Sequence, residues 1–240
     1  MWLNYRPSIA FYLILSTAIV AVLVGCVSPA SPTATLEPSL TDRSFLTDIP
    51  CAAPCWYGLE LGKSTKADAL AIAQTLSFID SQVFLERPDH YLYLDGSKQN
   101  YVDATFVSLI CREPEKEGCA DLLFVNDSLK EIRLYPKYDL NFGDVVAHLG
   151  APDYIQFSPL LMSSPLCSVG LTWKQRGIQA GFSGQGANTD QVRCDAVHKD
   201  PRVGRNLPVQ LIAYRLPENS ALASIPGSAG GDPWAGFLEP

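Results

Sequence analysis

Basic side chains and histidine are what this chain has little of. Its 18 Lys and Arg face 25 Asp and Glu, a formal net charge of −7, and the three histidines stand far apart at positions 90, 148 and 198. No basic run and no platform of interleaved aromatics and arginines occurs, so nucleic acid is excluded as a partner; phosphate backbones are repelled rather than steered in. No two histidines have the spacing that puts a pair of metal ligands on one helix face. The segment closest to a hydrolase nucleophile turn, Gly181-Phe-Ser-Gly-Gln185, carries glutamine where that pattern requires glycine. No complete catalytic constellation and no cofactor motif is present, which points to a protein that is not an enzyme and needs no cofactor.

One long apolar run is present. Arg6 precedes a nearly unbroken stretch over positions 9–24, followed by Gly25 and Cys26. A basic start, a short apolar core and a small residue before a cut describe a secretory signal. The core is shorter than the roughly 20 apolar residues that a membrane-crossing helix needs. Its end, Leu23-Val-Gly-Cys26, closely resembles the lipobox of bacterial lipoproteins. The resemblance implies removal of residues 1–25, diacylglycerol on the sulfur of Cys26, and an extracytoplasmic chain anchored by lipid to the cell membrane or the outer membrane of a bacterium. Each buried acyl methylene contributes about 0.8 kcal/mol, and two or more chains anchor stably.

Residues 26–44 are a Ser/Pro/Thr tether with too little apolar mass to pack. Residues 217–240 are a Gly/Pro-rich tail, but Trp234 and Phe237 near its end predict a tip that docks back on the globule. Six further cysteines lie between, at Cys51, Cys55, Cys111, Cys119, Cys167 and Cys194. An even number in an exported chain favours disulfides, with 15 possible connectivities. Sequence order suggests Cys51 with Cys55, Cys111 with Cys119 and Cys167 with Cys194. The middle pair brackets a turn-like segment rich in solvated carboxylates, Glu113, Glu115 and Glu117. Cys51 and Cys55 with Cys194 and His198 have the ligand types of a zinc centre, but thiolates outside the cytoplasm oxidise, so no metal site is expected.

Two segments begin alike. Thr65-Lys-Ala-Asp68 and Asn141-Phe-Gly-Asp144 each place a capping residue three positions before a carboxylate, the signature of a helix start. After each, the apolar period falls from about 3.6 to 2, as in Glu131-Ile-Arg-Leu-Tyr135 and Leu171-Thr-Trp173, which predicts antiparallel strands. The expected architecture is α+β, two tandem modules of a short helix packed on an antiparallel sheet, over residues 45–136 and 137–216.

The run Leu140-Asn-Phe-Gly-Asp-Val-Val-Ala-His-Leu-Gly-Ala-Pro-Asp153, and more briefly Leu61-Gly-Lys-Ser-Thr-Lys-Ala-Asp-Ala69, resembles the capped helix of small envelope lipoproteins of the SmpA/BamE kind. That resemblance implies helices packed on an antiparallel sheet, a fold shared with a β-lactamase-inhibitor-like group, serving protein interaction without catalytic residues. Pro54-Cys-Trp-Tyr-Gly58 is also similar to the opening of other bacterial lipoproteins. The expectation is therefore a non-catalytic, membrane-anchored lipoprotein with an envelope protein as partner. Its candidate interaction residues are Trp56, Tyr57, Tyr91, Tyr93, Trp234 and Phe237. The alternatives are a small-ligand or glycan binding lipoprotein using Trp56, Trp173 and Trp234 and, less favoured, a cell-wall hydrolase.

Overall fold

Alternating and β-branched segments dominate the chain after position 78, and in the computed structural model they become strands of one sheet. The structure describes residues 42–95, 98–112, 118–160, 165–182, 192–197, 200–216 and 231–238. Its strands are β1 (Ile79–Asp95), β2 (Lys98–Cys111), β3 (Gly118–Val125), β4 (Ser128–Leu134), β5 (Tyr154–Pro159), β6 (Cys167–Trp173), β7 (Ile178–Phe182), β8 (Leu211–Arg215) and β9 (Asp232–Pro233). All pairings are antiparallel, in the order β1-β2-β3-β4-β8-β7-β6-β5-β9.

The helices are short: α1 (Ser44–Thr47), α2 (Lys66–Thr75), α3 (Phe142–Leu149) and α4 (Cys194–Val197). Both capped segments start helices for the expected reason. The Thr65 side chain accepts from the Asp68 amide while Asp68 accepts from the Thr65 amide, and Asn141 and Asp144 make the same reciprocal pair. The α3 helix stops at Gly150, whose φ of 82° suits glycine.

The α+β expectation of two tandem helix-on-sheet modules is overturned. Strand β4 pairs directly with β8, from Glu131 opposite Arg215 to Leu134 opposite Ile212. The sheet therefore runs unbroken past the expected boundary between residues 136 and 137, and the fold is mostly antiparallel β with small helices as partial cover. Local periodicity reveals that β4 and β8 are strands, but their pairing depends on segments some 80 residues apart, which no local pattern encodes.

One face of the sheet holds the core. Leu122, Ile132, Ile212, Ile178, Leu171 and Ile155 from six strands pack with Ala69 and Ala73 of α2, Phe142 and Val145 of α3, and Phe45, Trp56 and Leu59 of the N-terminal segment. Full burial of each large apolar side chain stabilises the fold by roughly 1.5–3 kcal/mol. A smaller cluster of Ala104, Phe106, Leu123 and Val125 sits on the other face of β2 and β3.

Three disulfides brace this frame, Cys51–Cys55, Cys111–Cys119 and Cys167–Cys194. The second joins neighbouring ends of β2 and β3; the third ties α4 to the start of β6. The described part of the tail, residues 231–238, lies on the globule. Strand β9 pairs with β5, the Trp234 amide donates to the Asp153 carbonyl, and Trp234 and Phe237 meet edge to face at 5.0 Å. Gly231 is required there, because a Cβ would come within 2.8 Å of the Ile155 carbonyl oxygen.

Two stability measurements check this account. Asn141→Ala removes the α3 cap and lowers unfolding free energy by about 1 kcal/mol in urea titration. Replacing both Cys167 and Cys194 by Ala reopens a loop of sequence separation 27. The loss expected from chain entropy is on the order of 3–4 kcal/mol.

Candidate functional site

Strand alternation sends every second residue away from the core, and no described helix packs on the face that results. In β4, Ile132 and Leu134 point into the core, so Glu131 and Arg133 stand on the opposite face. Register carries this across the sheet. Arg87 lies opposite Phe106, Phe106 opposite Leu123, Leu123 opposite Glu131, and Glu131 opposite Arg215. A neighbouring row runs Leu85, Ser108, Asp121, Arg133 and Ala213, and continues through Gln179 and Thr172 to Tyr154. Gly170 and Gly181, opposite one another on β6 and β7, keep the floor low; a Cβ at Gly170 would press on the Gln179 amide at 3.0 Å.

The centre of this face is a charged network. Glu131 is only 3% exposed. Its carboxylate accepts from Arg215 Nη2 at 2.8 Å and from Arg133 Nε, while Arg215 Nη1 donates to Gln179 Oε1 at 2.8 Å. Burial alone would raise the Glu131 pKa, but the two guanidiniums outweigh it and hold the carboxyl below its ordinary range. The carboxylate is thus fixed in its ionised form and is not poised for proton transfer near neutral pH. Beside it the Tyr135 hydroxyl donates to Asp121 Oδ2 at 2.6 Å. Burial and that carboxylate push the tyrosine pKa up. A solvent-open groove of about 520 Å³ borders the network, lined by Leu85, Ser108, Ile110, Asp121, Tyr135 and Lys137 among others. The network is largely closed on itself: both Arg215 Nη groups are spent on Glu131 and Gln179, and Arg133 keeps about a third of its side chain exposed.

The residues singled out from the sequence lie elsewhere. Cys26 is outside the described residues. Trp56 is 1% exposed and donates from Nε1 to Asp42 Oδ2 at 2.7 Å. Tyr57 donates to Asp42 Oδ1 at 3.3 Å, and Ser44 N–H also donates to that oxygen. These two aromatics hold the N-terminal segment against the core, Tyr57 remaining partly exposed. Trp173 is 4% exposed and bonds the Gly150 carbonyl, so Trp56 and Trp173 form no aromatic binding groove with Trp234. Trp234 and Phe237 pack, half-buried, against the core. Tyr91 and Tyr93 occupy β1 positions opposite Val102 and Asn100; their side chains are outside the description. All six paired cysteines are consumed by disulfides, and among the described residues no group of His, Cys, Asp and Glu is placed to hold a metal. Among the described residues, too, no helix is long and apolar enough to cross a membrane.

The network itself was half visible. Glu131, Arg133 and Tyr135 alternate with apolar residues in the sequence, but Arg215 and Gln179 are recruited by long-range pairing.

Removing Glu131 tests the network. Glu131→Ala leaves two guanidiniums buried to different degrees without their carboxylate, and the expected loss is about 3–5 kcal/mol. Because the folded pKa is depressed, the wild-type contribution is present above the ordinary glutamate value of 4.5 and is lost as pH falls through the lower folded value. Glu131→Gln removes that pH dependence, so its stability profile is flatter than wild type below about pH 4.5 in acid titration followed by circular dichroism. The chain matches no known protein-family model, no curated protein and no solved structure.

Proposed function

We propose that this protein is an extracytoplasmic lipoprotein, held to a bacterial membrane through Cys26, that binds another envelope protein and catalyses no reaction. The observation that carries the binding half is the sheet face on which no described helix packs. Its charged centre, Glu131 with Arg133 and Arg215, is ordered by internal hydrogen bonds, and Leu85 and Arg87 beside it are exposed. Such a surface has the character of a protein-docking face, in which a pre-set polar array needs little further ordering when a partner arrives.

The lipobox-like Leu23-Val-Gly-Cys26 supports the anchoring half. From Cys26 to Asp42 the extended chain reaches at most roughly 50–60 Å, at about 3.3–3.6 Å per residue, so the tether permits docking well above a bilayer surface. The glycan-binding reading loses its support because Trp56 and Trp173 are core residues.

Palmitate-analogue labelling with Cys26→Ser as control tests the anchor: label and membrane fractionation are expected in wild type and absent in the variant. In vivo crosslinking from introduced photoreactive residues at positions 133 and 179 tests the docking face. A discrete crosslinked protein is expected from these positions and not from position 71 on the exposed side of α2; equal, diffuse labelling from all three counts against the reading.

A further inference from the structure

The C-terminal tip sits on the globule as a peptide sits on a receptor. We propose that the surface beneath it is a binding site for an extended segment of another protein with the pattern Gly-x-x-Trp-x-x-Phe, and that residues 231–238 of the chain itself are a displaceable plug in that site. It is an edge site along β5, distinct from the open sheet face. Backbone contacts at two places hold the tip. Asp232 and Pro233 pair antiparallel with Ile155 and Tyr154, and the Trp234 amide donates to the Asp153 carbonyl at 3.3 Å. Phe237 then bridges in parallel to Val203, where the Leu238 amide donates to the Val203 carbonyl at 3.0 Å. This is strand addition, in which main-chain hydrogen bonds give affinity and side-chain pockets give selectivity.

The selective positions are Gly231, Trp234 and Phe237. Gly231 lies so close to β5 that a Cβ would also press on Gln156 Cγ at 2.7 Å, and Trp234 packs half-buried against the core. The Phe237 ring centroid is 5.6 Å from the Arg205 guanidinium carbon, a cation–π contact. The fold seats Arg205 without the tip: its carbonyl accepts from the Gly143 amide at 2.9 Å, and its side-chain stem fills the space that a Cβ on Gly143 would need. The hold on the tip is light. None of residues 231–238 is buried, whereas Ile155 and Val203 beneath them are. A two-residue ladder with few buried apolar contacts belongs at the low end of local stability. Moreover, β9 pairs with only Tyr154 and Ile155 of the six-residue β5, and among the described residues no strand continues along Gln156–Pro159 on that edge. A longer segment of the same pattern gains ladder bonds there that the described tip does not make, and so displaces it.

The test is fluorescence anisotropy with the full chain in detergent and the labelled peptide Thr-Val-Thr-Val-Gly-Asp-Pro-Trp-Ala-Gly-Phe-Leu, comparing wild type with Gly231→Val. The valine side chain cannot seat against Ile155, so the variant's own tip leaves the site. Saturable binding to the variant is expected, roughly tenfold tighter than to wild type, because a tethered tip competes at an effective concentration on the order of millimolar. The same peptide with Trp and Phe replaced by Ala is expected to bind neither chain, and adding Arg205→Ala to the variant weakens binding severalfold. Far-UV circular dichroism and cooperative thermal unfolding of Gly231→Val are expected to match wild type. Loss of cooperative unfolding makes the tip an integral part of the fold and overturns the inference. Absence of binding to the variant, equal binding to both chains, or undiminished binding of the alanine peptide overturns it as well. A wild-type dimer in light scattering that Gly231→Val abolishes assigns the site to the tip of a second copy and overturns the assignment to another protein.

Discussion

The pairing of β4 with β8 is the contact on which the architecture turns. Strands β1 to β4 follow one another as a meander, and β5 to β8 do the same in reverse spatial order; the two runs share a sheet only because β4 and β8 lie side by side. On the core side this seam is apolar, Ile132 and Leu134 meeting Tyr214 and Ile212. On the other side it is ionic, with the Glu131 carboxylate between Arg133 and Arg215. A buried ion triad contributes little net stability over well-packed apolar residues. What it does supply is register: a shift of one residue would move Glu131 into the core, at a cost several times that of a lost hydrogen bond.

The two faces consequently do different jobs. One is covered by α1, α2 and α3 and fills with aliphatic and aromatic side chains. The other carries the small apolar cluster around Phe106 and Leu123 and, beside it, an ordered polar network, since Arg215 reaches both Glu131 and Gln179, and Gln179 in turn donates to Gln156 at 3.4 Å. The disulfides reinforce the frame around these faces: Cys111–Cys119 fastens two adjacent strands and Cys167–Cys194 fastens a helix to β6. Rigidity at the site is thus supplied by the fold and does not depend on a ligand.

Legibility from sequence followed the range of the interactions. The two capping boxes were readable at Thr65 and Asn141 because each closes within three residues. Most strands were readable from alternation, and the cysteine pairs from their order along the chain. The architecture was not, because two short helices preceding two sets of strands look the same whether the sets form two sheets or one. The role of the aromatics was open in the sequence for a related reason. Trp56 and Tyr57 find their polar partner, Asp42, at sequence separations of 14 and 15. Large amphipathic rings read alike at a surface and in a core with one satisfied polar atom. Arg87 gave no local signal at all; its stacking on Phe106 exists only once β1 and β2 are paired.

Asp42 has a mechanical consequence. Its carboxylate takes hydrogen bonds from Trp56, Tyr57 and the Ser44 amide, while Phe45 is sunk in the core three residues on. Tension transmitted along the backbone from upstream meets these bonds before it reaches any strand. The load is then shared with Trp56, 1% exposed in the core, so a pull on the N-terminal side is resisted at a clasp outside the sheet.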